Sequence, residues 1–141
     1  MLLILRVKSS DSINALFSIL KSKPIHATII DSKMPFSLSQ IEGAYELSKR
    51  STKEGKAISE RIEIEFLLWL SSEMHVNKAI EKVGAKNTSD MLLVVFDAKE
   101  SEARKLAREC GFEIIGKFEP NKASEKEQKL LLEKMAISRL V

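Results

Sequence analysis

Apolar positions along the chain fall into short, well-separated groups, and each group has a readable period. Leu2–Lys8 (LLILRVK) is apolar and β-compatible. It has no basic n-region and no small-residue cleavage site, so it reads as a first strand rather than a signal peptide. Ile13, Leu16, Phe17 and Leu20 then repeat at helical spacing. Ser10 or Asp11 is placed to cap that helix and Pro24 to stop it. Ile25–Asp31 (IHATIID) is a second strand, followed by a turn at Met34-Pro35-Phe36. Ser37 and Gln40 have capping-box spacing ahead of a helix whose stripe is Leu38, Ile41, Ala44, Tyr45 and Ser48. Gly55 falls just past its end.

In the second half, Ile62, Ile64 and Phe66 alternate with Glu63 and Glu65, which predicts a half-exposed strand. From Phe66 to Leu70 both faces turn apolar, so that end is covered on both sides. Val76, Ala79, Ile80 and Val83 mark a short helix over His75–Val83, with Gly84 as its C-terminal glycine. Met91–Phe96 (MLLVVF) is a fully buried strand. Asp97 is placed to cap a helix running to Cys110, with stripe Ala103, Leu106, Ala107 and Cys110, and Gly111 ends it. Phe112–Phe118 is a short strand, and Ser124 with Glu127 opens a last helix carrying Leu131 and Leu132 and ending in Leu140 and Val141. This order predicts a single α/β or α+β domain over residues 1–141: a mixed, largely antiparallel sheet of about five strands covered by about five helices.

Composition changes the picture little. A chain of 141 residues with 44% hydrophobic and 30% charged residues fits one soluble globular domain, and no apolar run reaches the ~20 residues of a membrane helix. One cysteine, Cys110, rules out an internal disulfide, suits a reducing cytoplasm and reads as a buried thiol. Charge is more informative. Residues 1–61 carry ten Lys and Arg against six Asp and Glu; the remainder carries thirteen against fourteen. The excess lies in Lys49, Arg50, Lys53, Lys56 and Arg61. Such a stripe is either a solvated face or a phosphate-binding one.

Enzyme signatures fail. His26 and His75 lack partners at metal-ligand spacing, Ser71-Ser72 has no nucleophile elbow, and the five glycines form no phosphate cradle. Glu63 and Glu65 read as residues of a solvent-facing strand rather than as a catalytic pair. No catalytic residue, metal or cofactor is expected. What remains suits an interaction protein. The basic stripe leads towards the helix at His75, whose N-terminal N–H groups can hold an anion and whose polar face carries Lys78 and Lys82. Asn77 is placed to read a base or sugar edge, and Met74 and Trp69 are apolar neighbours, with Trp69 better explained as packed beneath adjacent helices. The competing readings are a small α/β ligand-binding domain or enzyme using His75 and nearby carboxylates, and a purely structural adaptor.

The ordered combination of Lys56–Arg61, Ile62–Ser71, Val76–Gly84 and Met91–Phe96 resembles the small kinase-binding subunit family of the KEOPS (EKC) complex, the PRPK-binding protein (TPRKB) family. That family is expected to have a basic stretch, a strand rich in acidic and apolar residues ending in Leu-Ser, a helix of the form Ile/Val-x-x-Ala-Ile/Leu-x-x-x-Gly, and a buried apolar strand. Ser72-Glu73-Met74-His75 stands where many relatives have a more polar or glycine-rich turn with an arginine. The resemblance implies a non-catalytic cytoplasmic subunit. It would bind the complex's atypical kinase/ATPase and recruit tRNA through its 3′ CCA end for threonylcarbamoyladenosine modification, with no membrane and no small-molecule substrate. Lys53, Lys56, Arg61 and Lys78 are then the expected phosphate contacts, with His75 and Asn77 nearest the terminal nucleotides. Exposed apolar residues of the Leu38–Lys53 helix and the last helix, among them Ile41, Tyr45, Leu140 and Val141, are the expected kinase contacts.

Overall fold

The structure, a computed structural model, describes residues 2–33 and 38–118. Their order is β1 (Leu2–Lys8), α1 (Ile13–Lys21), β2 (Ala27–Asp31), α2 (Leu38–Lys53), α3 (Ile62–Ser71), α4 (Val76–Val83), β3 (Met91–Phe96), α5 (Glu100–Glu109) and β4 (Glu113–Lys117). This is an α+β fold. The described residues form two compact units, one from residues up to Lys33 together with Gly84–Phe118, the other from residues 38–83.

The first unit is a four-stranded sheet of order β2-β3-β1-β4. Every neighbouring pair is antiparallel, so the expected mixed sheet of about five strands is a purely antiparallel sheet of four among the described residues. The pleat has period two, which places Leu5, Val7, Ala27, Ile29, Met91, Leu93 and Val95 in one core cluster with Leu16 and Leu20 of α1 and Ala103, Leu106 and Ala107 of α5. Thr28, Ile30, Leu92, Val94 and Phe96 alternate with them and are buried too. That two-sided burial is why β3 is continuously apolar in sequence. Cys110 is buried at the end of α5, and burial pushes its thiol pKa up. Arg6 of β1 donates from Nε and Nη2 to the two carboxylate oxygens of Asp90, both at 2.8 Å. This bidentate pair fixes the turn ahead of β3 against β1.

The 38–83 unit holds the main departure from expectation. Ile62–Ser71 is a helix, not a strand. The strand reading assumed that Glu63 and Glu65 face solvent; both are buried, at 3% and 0% exposure. A helix apolar nearly all round is a buried helix, and this one buries every residue from Glu65 to Ser71. Its two glutamates stand in the first turn, where the helix dipole favours negative charge.

Three helices end in the same device. Lys56 N donates to Ser51 O and Gly55 N to Thr52 O after α2; Phe112 N donates to Ala107 O and Gly111 N to Arg108 O after α5. Gly55 and Gly111 supply the left-handed backbone this Schellman geometry requires, at φ 70° and 77°. After α3 the same bonds form from Glu73 to Leu68 and from Ser72 to Trp69, with Ser72 left-handed at φ 59°. Gly84 does not cap α4 in this way; it makes an isolated antiparallel bridge with Ile30. The N-caps also shift: Ser12, not Ser10 or Asp11, caps α1 by accepting from Ala15 N at 3.2 Å, and Lys99 rather than Asp97 precedes α5. The last helix and the Ser37 cap lie outside the described residues.

The Arg6 guanidinium hydrogen-bonded to Asp90 holds its carboxyl below the ordinary carboxylate value, against the opposing effect of burial, with the Ser32 side chain assisting. A depressed folded-state pKa means that the pair stabilises fully above the unfolded pKa and is lost as pH falls through the folded one. Asp90→Asn is therefore expected to lower stability to urea at neutral pH, with the gap to wild type closing in acid. A gap that stays constant down to acid pH contradicts the assignment.

Candidate nucleic-acid interface

The basic residues are displayed by a scaffold centred on one buried carboxylate. Glu65 in the first turn of α3 is fully buried. Its Oε2 accepts from Ser51 Oγ at 2.6 Å and from Trp69 Nε1 at 3.1 Å. Its Oε1 accepts from the backbone N–H groups of Ile58 at 3.1 Å and Ser59 at 3.3 Å. A buried carboxylate is costly unless hydrogen-bonded, and these four donors satisfy it. Residues 65 and 69 are one helical turn apart, so both side chains reach the same side of α3. Small residues Ala44, Ser48 and Ser51 recur along a buried side of α2, and Ser51 closes the contact. Glu65 thus joins the last turn of α2, the connecting loop and α3. The second buried acid, Glu63, pairs with the Arg61 guanidinium.

Around this scaffold the cations are displayed outward. Lys49, Arg50 and Lys53 are exposed and line, with Glu46 and Glu54, a groove of about 630 Å³ along one face of α2. Lys49 Nζ lies 4.4 Å from the centre of the Tyr45 ring and 3.0 Å from Glu46 Oε1, so its position is defined. Past the Gly55 turn, the Lys56 side chain is 77% exposed, with its Nζ 3.8 Å from Glu54 Oε2. Arg61 is different: its side chain is only 31% exposed and is committed to Glu63.

His75, Asn77 and Lys78 are exposed at the start of α4, beside exposed Met74. The His75 carbonyl accepts from Ala79 N at 3.0 Å and so begins that helix. Lys82 does not extend this group; its Nζ donates to Ser71 O at 2.8 Å and caps α3. Arg61 directly precedes α3 and His75 follows it, so the predicted RNA contacts form two groups at opposite ends of a ten-residue helix, on the order of 15 Å apart along its axis.

Trp69 is buried and is no stacking surface. Ile41 and Tyr45, expected as exposed kinase contacts, are buried within the chain at 0% and 4% exposure, because the apolar stripe of α2 faces its own core. Leu38 is the exposed apolar residue of that helix. Leu140 and Val141 lie outside the described residues. Sequence reading missed the Ser51–Glu65–Trp69 cluster. The available signal was the helical spacing of Glu65, Leu68, Trp69 and Ser72, hidden by treating glutamate as a solvent residue. Among the described residues no group of three His, Cys, Asp or Glu could hold a metal ion, and no helix is long and apolar enough to cross a membrane.

The family model described as Kinase binding protein CGI-121 matches residues 6–135. The chain belongs to the CGI-121 kinase-binding protein family. This bears out the resemblance read from the sequence, and the match includes α2, the basic loop, α3 and α4. No individual curated protein matches the chain.

In this CGI-121 family member, Glu65→Ala leaves the backbone N–H groups of Ile58 and Ser59 without their acceptor and takes one of two acceptors from the Trp69 indole and the Ser51 hydroxyl, which keep Ser51 Oγ and the Ser48 carbonyl. The expected cost is about 2–4 kcal/mol in urea denaturation. A loss below about 0.5 kcal/mol, the scale of a surface change, contradicts the role given to the carboxylate.

Proposed function

We propose that this chain is a non-catalytic subunit of a KEOPS-type complex. It docks on the complex's atypical kinase/ATPase and recruits tRNA by its 3′ CCA end for threonylcarbamoyladenosine modification, with residues 1–141 acting as one module that takes no cofactor. The family's kinase-binding description supports the first part. The observation that carries the second is the exposed cationic face of α2, Lys49, Arg50 and Lys53, continued past the Gly55 turn by Lys56. Cations at one-turn spacing along a groove suit a flexible phosphate backbone better than a small-molecule pocket. Lys53 and Lys56 take phosphates, and Lys78, with His75 and Asn77, takes the nucleotides at the far end of α3. Arg61 contributes least, since its guanidinium already neutralises Glu63. A weakly basic module of this size binds RNA loosely alone and gains affinity within an assembly.

The double variant Lys53→Glu/Lys56→Glu is expected to weaken tRNA binding roughly tenfold and to flatten the salt dependence by about two single-strand phosphate contacts, each worth about 0.7 in the log–log slope. Its urea midpoint should stay close to wild type, because both side chains are exposed. Unchanged binding rejects the RNA part and leaves a structural adaptor.

The kinase contact is assigned to apolar side chains: Leu38, exposed on α2, and Leu140 and Val141, which lie outside the described residues. Removing Leu140 and Val141 should reduce co-purification with the kinase subunit; full recovery of the complex rejects the part given to those two residues.

A further inference from the structure

We propose that Glu65 is the positioning residue of the basic loop: its buried carboxylate brackets the backbone around Lys56 and holds that cation where a phosphate meets it. The inference rests on the RNA-recruiting reading and adds to it a residue that touches no RNA. Lys56 is exposed, but its backbone is tied on both sides. Lys56 N donates to Ser51 O at 2.8 Å, while Ile58 N and Ser59 N donate to Glu65 Oε1. Ser51 and Glu65 are themselves joined by a 2.6 Å hydrogen bond. Arg61 N donates to Ser59 Oγ at 3.2 Å, which closes the loop onto the start of α3. Ile58 at the loop tip is 45% exposed, so apolar burial does little to hold it. The carboxylate therefore orders the loop in advance, and binding need not order it again.

The chemistry of residue 65 makes this separable from a general packing role. Each of the four partners among the described residues presents a hydrogen to the carboxylate. An amide at this position has one accepting oxygen and one donating nitrogen. In Glu65→Gln, an oxygen turned to Ile58 N and Ser59 N sets the amide nitrogen against the Trp69 indole N–H, two donors facing each other, and the indole, 3.1 Å from Oε2 in the wild type, is left with Ser51 Oγ at 3.2 Å. The flipped amide sets it against the two loop N–H groups instead. Trp69→Phe removes the indole donor. The double variant Glu65→Gln/Trp69→Phe can then keep its oxygen on the loop and donate to Ser51 Oγ, whose hydroxyl has the Ser48 carbonyl 3.1 Å away as an alternative acceptor.

The test is tRNA titration of wild type, Glu65→Gln, Trp69→Phe and the double variant across a salt series, with urea stability measured beside it. Glu65→Gln is expected to weaken binding roughly three- to tenfold and to flatten the log–log salt slope by about one single-strand contact, ~0.7. Trp69→Phe alone should bind like wild type. The double variant should recover binding to within roughly twofold while remaining less stable than wild type, because the smaller ring underfills the core. Equal binding by Glu65→Gln and wild type, or a double variant no better than Glu65→Gln, overturns the proposal. If wild type itself binds no tRNA, the RNA reading fails, and amide exchange at Ile58 and Ser59 decides the positioning claim separately. Those two N–H groups should be protected in wild type, exposed in Glu65→Gln and protected again in the double variant. Should Glu65→Gln fail to fold, the wild-type amides still decide it: rapid exchange at Ile58 and Ser59 overturns the proposal.

Discussion

The buried carboxylate of Glu65 is the constraint on which the 38–83 unit depends. A carboxyl group with no solvent exposure is tolerable only when hydrogen-bonded, and its donors among the described residues come from three separate segments: Ser51 on α2, Ile58 and Ser59 in the connecting loop, and Trp69 on α3 itself. Each segment would be mispaired if its neighbour moved, so one residue sets the close approach of α2 and α3 and the path of the chain between them. Hydrophobic burial along α3 supplies bulk stabilisation, but it is non-directional. The hydrogen-bonded carboxylate supplies the register.

The same constraint explains how a short basic segment becomes an ordered surface. Lys49 is steadied by the Tyr45 ring and Glu46, Lys53 sits in the last turn of α2, and Lys56 follows a Schellman turn whose donors and acceptors are satisfied. Arg61, the most basic-looking entry to α3, serves structure by pairing with Glu63. The proposed RNA role therefore falls on fewer residues than the charge pattern suggests, and on positions whose backbone is fixed. Membership of the CGI-121 kinase-binding family adds the partner that a weak, isolated RNA contact would require.

Much of the first unit was legible in sequence because its physics is simple. Leu2–Lys8 and Met91–Phe96 are apolar runs of strand length, and the α1 and α5 stripes have clear helical spacing ended by Lys21–Pro24 and Gly111. Ile62–Ser71 was not legible for a specific reason. Two glutamates alternating with isoleucines imitate a half-exposed strand, and only their burial against Arg61 and Ser51–Trp69 shows the helix. The same segment hid the site's scaffold: Ser51 and Glu65 are fourteen residues apart, and a serine hydroxyl, an indole and backbone N–H groups carry no charge pattern that would mark them in sequence as donors to an acid. Ile41 and Tyr45 failed as surface residues because an amphipathic stripe marks the face that is buried, not the element it is buried against.

The most direct measurement is an NMR titration of the isotope-labelled protein with a short single-stranded RNA ending in CCA. Trp69 is the chain's one tryptophan, so its indole N–H gives a single reporter on Glu65. The account predicts that backbone shifts concentrate at Lys49–Lys56 and at His75–Lys78, and that the indole resonance moves with the loop amides of Ile58 and Ser59. Shifts confined to other surfaces, with the indole and loop amides unmoved at saturation, would contradict it.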